Sequence, residues 1–215
     1  MDKSAYSRLD KTSDSIFYKD PRFVEHVDEN AVQLMTRYIA DDVLEDKDVV
    51  LDLCTSWTSH MDQATLDKFN IQRVSGLGMN EEEMKGNPIL HDYAVVDLNA
   101  NENVKLPYDN ESFTKVICQL SIDYLIHPLQ VMKEVGRILK PGGKVVILFS
   151  NRLFIQKAVG LWTGKDDVDH VYTVGSYLNY SDGGFTNIRA KDLSSRKKKK
   201  IVGDPMYAVV AEKVK

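Results

Sequence analysis

Two apolar runs that flank a helix-length segment constrain this chain more than any other feature. Residues 116–120 (VICQL) follow a polar turn at residues 109–112, and residues 144–149 (KVVILF) follow the turn at residues 141–143 (PGG). The segment between them, residues 128–139, carries apolar side chains at helical spacing. A strand, a helix, a sharp turn and a second strand in this order predict one crossover unit of a parallel sheet.

The same alternation continues on both sides of this unit. Runs of apolar and β-branched residues predict seven strands, at residues 48–54, 71–76, 93–98, 116–120, 144–149, 185–191 and 207–214. Helical spacing predicts helices at residues 21–40, 62–69, 128–139, 152–162 and 171–180, and one more that starts from Asn80 as its N-cap. The pattern predicts an α/β fold with a doubly wound, mostly parallel sheet whose last strand is antiparallel.

Composition bounds the size of the core and the partners. A chain of 215 residues with 43% hydrophobic content can bury one α/β core, so we expect a single domain over residues 16–215 after a polar, flexible arm at residues 1–15. The net charge of -4 argues against nucleic acid as a partner, because a surface that binds phosphates is basic. Membrane-spanning runs and a signal-peptide core are not found, and Cys54 and Cys118 suit reduced thiols. We therefore expect a cytoplasmic protein without a membrane partner.

The loop after the first strand is the first place to search for a site, because open parallel sheets bind ligands beyond the carboxyl ends of their central strands. The loop reads DLCTSWT (residues 52–58). Together with LKPGGKVV (residues 139–146), it resembles the class I S-adenosylmethionine (SAM)-dependent methyltransferases of the type 11-like kind, whose loop has the pattern D-x-G-x-G-x-G. The resemblance implies a Rossmann-like fold, SAM as cofactor, and cofactor contacts from Asp52, Leu53, Cys54, Ser56 and Thr58. The three glycine positions carry Cys54, Ser56 and Thr58, a departure that hinders close backbone approach.

The resemblance also assigns the other parts of the cofactor. An acidic residue after the second strand holds the ribose in the family, but Gly78 stands at that position here, so Asn80, Glu81 and Glu82 become the candidates for this contact. Met79 beside them is a further candidate for cofactor binding. The segment that contains Asp97 and Leu98 matches the family's adenine-binding segment, in which a carboxylate accepts from the adenine amino group. Gln119 and Ser121, at the exit of the fourth strand, would lie under the methionine half of the cofactor.

Two further residues are candidates for chemistry. His60 follows the cofactor loop and is a candidate general base, although a lone histidine in a loop is more often structural. Arg152 follows the fifth strand and is a candidate for pairing with a substrate carboxylate or phosphate, the alternative being a solvated arginine. Trp57 is a packing residue or a wall of the methyl-donor pocket.

The basic run at residues 196–200 (RKKKK) has two interpretations. It is an anion-binding or nuclear-targeting patch, or a solvated loop between the last two strands, and we favour the loop. The two cysteines have no histidine or cysteine partner at metal-ligand spacing, so we expect no metal site.

Three hypotheses for function follow. The resemblance favours a SAM-dependent methyltransferase that acts on a small molecule, in which the enzyme aligns a nucleophile with the methyl group and excludes water. The missing glycines and the missing ribose acid favour the alternative, a non-catalytic methyltransferase-fold protein that has lost SAM binding and serves as a binding or regulatory subunit. A Rossmann-like oxidoreductase is weaker, because G-x-G-x-x-G is absent after the first strand.

Overall fold

One seven-stranded sheet organises the computed structural model, which describes residues 3–215. In chain order its strands are β1 (Val49–Leu53), β2 (Arg73–Gly78), β3 (Asp92–Val95), β4 (Phe113–Gln119), β5 (Leu139–Phe149), β6 (Phe185–Asp192) and β9 (Tyr207–Lys213). Two short strands between β6 and β9, β7 (Arg196–Lys197) and β8 (Lys200–Ile201), pair with each other in a second, two-stranded sheet. The order across the sheet is β3-β2-β1-β4-β5-β9-β6, with β9 antiparallel to both neighbours and the other pairs parallel. This confirms the predicted α/β fold, with its Rossmann-like, mostly parallel sheet and antiparallel last strand.

Helices cover both faces of the sheet. They are α1 (Asp14–Phe17), α2 (Glu29–Tyr38, continued by a π-helical turn at Ile39–Val43), α3 (Gln63–Lys68), α4 (Glu81–Gly86), α5 (Pro128–Ile138) and α6 (Asp167–Tyr180). Successive residues of a strand point to opposite faces, so Leu51 packs in the core with α5 and α6 while Val50 packs in the core with α2 and α3. Two buried faces explain why the central strands are apolar throughout. None of the helices within residues 3–215 is long and apolar enough to cross a membrane.

Two predicted helices are wrong in extent or existence, for the same reason. The helix predicted from residue 21 begins at Glu29, because the N–H groups of Arg22 and Asp28 bond to side-chain carboxylates instead of helical carbonyls. Residues 152–162 form turns instead of a helix, since the N–H groups of Gly160 and Leu161 bond to carbonyls near the start of the chain. Long-range hydrogen bonds thus replace the local ones that a helix needs.

The predicted arm at residues 1–15 has its described part, residues 3–15, packed on the domain. Lys157 is fully buried, and its ammonium lies 3.0 Å from a carboxylate oxygen of Asp10 and 3.2 Å from one of Asp14. The same ammonium donates to the Thr12 carbonyl oxygen over 2.8 Å. A buried charge is stable only when it is paired in this way, so these contacts fix where the segment lies.

Candidate functional site

A cleft lies at the carboxyl ends of β1, β2 and β4. This is where the doubly wound topology predicts a ligand site. Seven of the predicted cofactor residues line it, namely Cys54, Ser56, Met79, Asn80, Asp97, Leu98 and Ser121. Asp52, Leu53, Thr58, Glu81 and Gln119 lie outside its lining, as do the predicted catalytic residues His60 and Arg152.

The loop after β1 keeps a glycine-like backbone without glycine. Cys54 has φ of 63°, in the left-handed region that favours glycine, and it stands at the first glycine position of the family pattern. Leu120, at the end of β4, has φ of 52° and lines the same cleft. Strained residues of this kind concentrate at ligand sites, because their conformation is held by the surrounding structure.

The packing of that loop requires a glycine at position 78. The Thr55 N–H donates to the Leu77 carbonyl oxygen over 2.9 Å, which draws the loop onto the end of β2. A Cβ atom on Gly78 would lie 2.3 Å from the Thr55 carbonyl oxygen, closer than real atoms approach. Gly78 therefore has no room for the acidic side chain that the family carries at this position.

Glu83 supplies a carboxylate to the cleft that the sequence did not point to. Its two oxygens accept from the Ser56 hydroxyl over 2.6 Å and from the Arg22 N–H over 2.7 Å, and its side chain lines the cleft. The only sequence signal is that Asn80 and Glu83 have capping-box spacing, N-cap and N3, at the start of α4. That spacing does not reveal that Glu83 faces the cleft.

The predicted ribose candidates have other partners. Asn80 is confirmed as the N-cap of α4, with its amide oxygen accepting from the Glu82 and Glu83 N–H groups. Its amide nitrogen donates to the carbonyl oxygens of Tyr18 and Lys19, over 3.0 and 3.1 Å. Asn80 is thereby saturated with hydrogen bonds.

Glu81 and Glu82 are exposed on the outer side of α4. The Glu81 carboxylate pairs with Lys85 over 2.9 Å and does not face the cleft. Of the acidic residues in the first turn of α4, Glu83 is the one that lines the cleft.

Asp97 and Leu98, the residues that the resemblance assigns to the adenine, line the cleft. The Asp97 carboxylate is half-buried and accepts from the Asn99 N–H over 2.8 Å, which leaves oxygen lone pairs for a further donor. Asn99 fastens this segment, because its amide nitrogen donates to Asp14 and to the Tyr124 carbonyl oxygen.

A roof segment, residues 14–28, covers the cleft. Asp14, Tyr18, Arg22 and His26 of this segment line the cleft. The Trp57 indole N–H donates to the Val24 carbonyl oxygen over 3.3 Å, so this side chain holds the roof segment in place. It adds to the hydrogen bonds that the roof makes with residues 80, 83 and 99.

His60 belongs to a closed hydrogen-bond network beneath the roof. Its Nδ1 lies 2.8 Å from Gln119 Oε1 and its Nε2 lies 3.1 Å from a carboxylate oxygen of Glu25, so both ring nitrogens face acceptors. Burial alone would lower the pKa of His60, but the Glu25 carboxylate, with Gln119 and Asp52, raises it above its usual value. When the imidazole is protonated, both ring N–H groups donate to these acceptors and no lone pair is left with which to act as a base.

Asp52 is the buried end of the same network. Its carboxylate accepts from the Thr55 hydroxyl over 2.5 Å and from the Gln119 amide over 3.3 Å, and the residue is almost completely buried. Burial raises the pKa of Asp52, although the hydrogen bonds from Ser59, Thr55 and Gln119 oppose the shift. Asp52 thus shapes the cofactor loop from below.

A second cleft adjoins the first and holds Arg152 at its edge. Leu120, Tyr124, His26 and Phe154 line both clefts, so the two share a wall. The Arg152 guanidinium is mostly exposed and lies 3.7 Å from a carboxylate oxygen of Asp204.

Asp123 lies behind the wall between the clefts. One of its carboxylate oxygens is buried without a hydrogen-bond partner, and burial raises the pKa of Asp123 to about 7. The neighbouring Tyr124 hydroxyl accepts from the Phe154 N–H over 2.8 Å. Elsewhere in residues 3–215, no three His, Cys, Asp or Glu side chains converge in a way that could hold a metal ion.

The comparisons with known proteins agree with this geometry. A family model described as a methyltransferase domain matches residues 64–147. The malonyl-[acyl-carrier protein] O-methyltransferase of Marinomonas sp. (strain MWYL1) is 29% identical over 164 residues, which are 75% of this chain. The chain spans only 58% of the length of that relative.

Solved structures share the fold at low identity. The complex between the Haloferax volcanii Trm112 methyltransferase activator and a methyltransferase matches with a TM-score of 0.62 and 16% identity, over 87% of this chain and 91% of the other. The [4+2]-cyclase SpnF matches with a TM-score of 0.56 and 16% identity, over 84% of this chain and 80% of the other. The methyltransferase-domain match over residues 64–147 supports a relationship to the class I SAM-dependent methyltransferase superfamily, and the solved structures show the same fold.

Proposed function

We propose that this protein binds SAM in the cleft beneath the roof segment and transfers its methyl group to a small molecule in the adjoining cleft. The observation that carries the proposal is that the two clefts adjoin, with Leu120 and Tyr124 lining both. Methyl transfer needs a donor and a nucleophile in line and shielded from water, and two adjoining clefts under one roof supply that arrangement.

The residues present fit the cofactor. Cys54 holds the backbone conformation for which the family uses glycine, the Asp97 carboxylate has free lone pairs, and Glu83 brings a carboxylate to the side of the cleft from which Gly78 excludes one. In this assignment Asp97 accepts from the adenine amino group and Glu83 accepts from the ribose hydroxyls. When bound, SAM supplies an electrophilic methyl group on a sulfonium, so the protein needs no strong base if the acceptor is a good nucleophile.

The remaining residues position and shield. The roof segment excludes water from the cleft, and the Ser56 hydroxyl keeps the Glu83 carboxylate turned inward. Arg152 is placed to hold an anionic group of the acceptor at the edge of the second cleft. The network of Glu25, His60, Gln119 and Asp52 positions the cofactor loop and touches neither ligand.

The second candidate function is a methyltransferase-fold protein that does not bind SAM. The observation in its favour concerns Gly78. The Thr55 carbonyl oxygen lies so close to Gly78 that the acidic side chain that binds the ribose in the family has no room there. This chain shares its fold with SpnF, a protein described as a [4+2]-cyclase, so the same scaffold has other uses.

Calorimetric titration with SAM and with S-adenosylhomocysteine separates the two candidates. We expect saturable binding of both, weakened by about 1–3 kcal/mol in Asp97→Ala, because a charged hydrogen-bond acceptor is lost. Asp109→Ala, an exposed carboxylate on the turn before β4, is the matched control and should bind like the parent. Absence of binding at millimolar ligand, with the protein folded by circular dichroism, would favour the second candidate.

A further inference from the structure

The strands β7 and β8 form a basic hairpin, residues 196–201, that the proposed function does not use. All five side chains of its RKKKK run are exposed. Among the ion pairs of the described residues, only Arg196 of this run takes part, through Asp192. The whole chain has 28 Lys and Arg against 32 Asp and Glu, and five of these cations lie in the run, so the rest of the chain is acidic. The hairpin is thus a local, unneutralised positive charge.

The two residues at the turn of the hairpin are of a type that such turns disfavour. Lys198 and Lys199 have φ of 48° and 68°, the conformation of a two-residue hairpin turn that Asn-Gly adopts with least strain. Two lysines in this position cost stability compared with Asn-Gly. A strained choice of this kind indicates that the positive charge at the tip has a use.

The base of the hairpin is fixed beside the second cleft. The Val202 carbonyl oxygen accepts from the Asn30 amide, and Asp28 and Asp204 exchange hydrogen bonds through their N–H groups and carboxylates. Asp204 also pairs with Arg152, which lines the second cleft. The charges therefore stand next to the mouth of that cleft.

Exposed aliphatic side chains border the same mouth. Ile155 lines the second cleft and is 60% exposed, and Val202 at the base of the hairpin is 47% exposed. The Asp10 N–H donates to the Gln156 carbonyl oxygen, which ties the backbone next to Leu9, a residue that is 76% exposed, to the backbone next to Ile155. Cations beside exposed aliphatic groups are typical of proteins that rest on an anionic bilayer, where the cations meet headgroups and the aliphatic groups enter the interface.

We propose that the basic hairpin and the aliphatic side chains of Leu9, Ile155 and Val202 seat the mouth of the second cleft on a membrane that contains anionic lipid. Nucleic acid would use the cations but gains little from exposed aliphatic groups, and the acidic remainder of the chain repels a long polyanion. The inference is independent of the methyl-transfer proposal, since it concerns attachment and not chemistry.

Vesicle co-sedimentation tests the proposal with the full chain. We expect binding to vesicles of phosphatidylcholine with about one third phosphatidylserine, little binding to phosphatidylcholine alone, and loss of binding as salt rises. The double variant Lys198→Asn, Lys199→Gly removes two charges while giving the turn its preferred residues, so the fold is retained or stabilised. Its affinity should fall about ten- to thirty-fold.

Controls decide between the hairpin and general charge. Lys133→Gln with Lys140→Gln removes the same charge from exposed positions on α5 and at the start of β5, and should bind like the parent. Ile155→Ser should weaken binding without changing its salt dependence. Equal loss in the lysine control, no binding to anionic vesicles at low salt, or binding to double-stranded DNA in place of vesicles would each overturn the proposal.

Discussion

The Ser56 hydroxyl and the Glu83 carboxylate share a 2.6 Å hydrogen bond that links the cofactor loop to the first turn of α4 at the side of the cleft. The other oxygen of Glu83 holds the roof segment through the Arg22 N–H. Glu83 therefore connects the loop after β1, helix α4 and the roof segment around the proposed cofactor site.

Replacing Glu83 by glutamine should weaken binding of S-adenosylhomocysteine by about 1–3 kcal/mol, because a charged acceptor for the ribose is lost. Isothermal calorimetry measures the change. Glu82→Gln alters the neighbouring, exposed carboxylate and should leave the affinity unchanged. Equal affinity in Glu83→Gln and the parent would remove Glu83 from the ribose site.

Cys54→Gly should raise the free energy of unfolding by about 1 kcal/mol, since glycine adopts the observed φ of 63° without strain. Urea unfolding checks the sign. Ser56→Gly, which loses the hydrogen bond to Glu83, should destabilise the protein instead.

Gly78→Asp, which restores the acidic residue of the family, should not restore a ribose contact. The Cβ atom would collide with the Thr55 carbonyl oxygen, so we expect a loss of stability of about 3 kcal/mol or more. Thermal unfolding followed by circular dichroism shows the loss. Gly160→Ala is the control, because its added Cβ atom would have no neighbour nearer than 3.4 Å. A stable Gly78→Asp protein with tighter SAM binding would refute this account of the loop.

The His60 network should make stability depend on pH. Because Glu25 raises the pKa of His60 in the folded state, the stabilisation is complete below the unfolded value near 6.5 and is lost as pH rises through the folded value. His60→Asn tolerates the φ of 49° and should cost about 2 kcal/mol at pH 6 and less at pH 9. Urea unfolding at both pH values measures the difference. His127→Gln, at the N-cap of α5, is the control. Its free energy of unfolding should differ from that of the parent by the same amount at both pH values.

Asp123 should also make the protein less stable as pH rises, but through burial of its charge instead of loss of a charge pair. Burial raises the pKa of Asp123 to about 7, so stability falls as pH rises from the unfolded value near 4 to about 7. Asp123→Asn removes this penalty and should stabilise the protein by about 2–4 kcal/mol at pH 8, with no gain near pH 4. A variant that is less stable than the parent at pH 8 would mean that the charged carboxylate has a partner in the folded protein. Asp109→Asn, on an exposed turn, serves as the control.

Patterns that depend on near neighbours predicted the fold well. The central strands are apolar because both of their faces are buried, and the Asn80 cap depends only on the next three residues. Residues 21–28 of the helix predicted at residues 21–40, and the helix predicted at residues 152–162, are not helical, because distant side chains and carbonyls take their N–H groups. Such partners leave no local signal in the sequence.

The site was predicted less completely for the same reason. The resemblance located the cofactor loop and Asp97, and both lie at the cleft. It could not reveal that the Thr55 carbonyl oxygen excludes a side chain at Gly78, or that Glu83 turns inward instead of Glu81. These facts depend on how the loop after β1 leans on β2, which is a tertiary contact.

The position of β9 has a consequence for the order of folding during synthesis. β9 follows every other strand in the chain, yet it lies between β5 and β6 and pairs with both. While the ribosome still holds residues 207–213, β5 presents an open, apolar edge and β6 has no place in the sheet. The nascent chain can therefore complete the part from β1 to β5 first, and must be protected from aggregation at β5 until the final strand emerges.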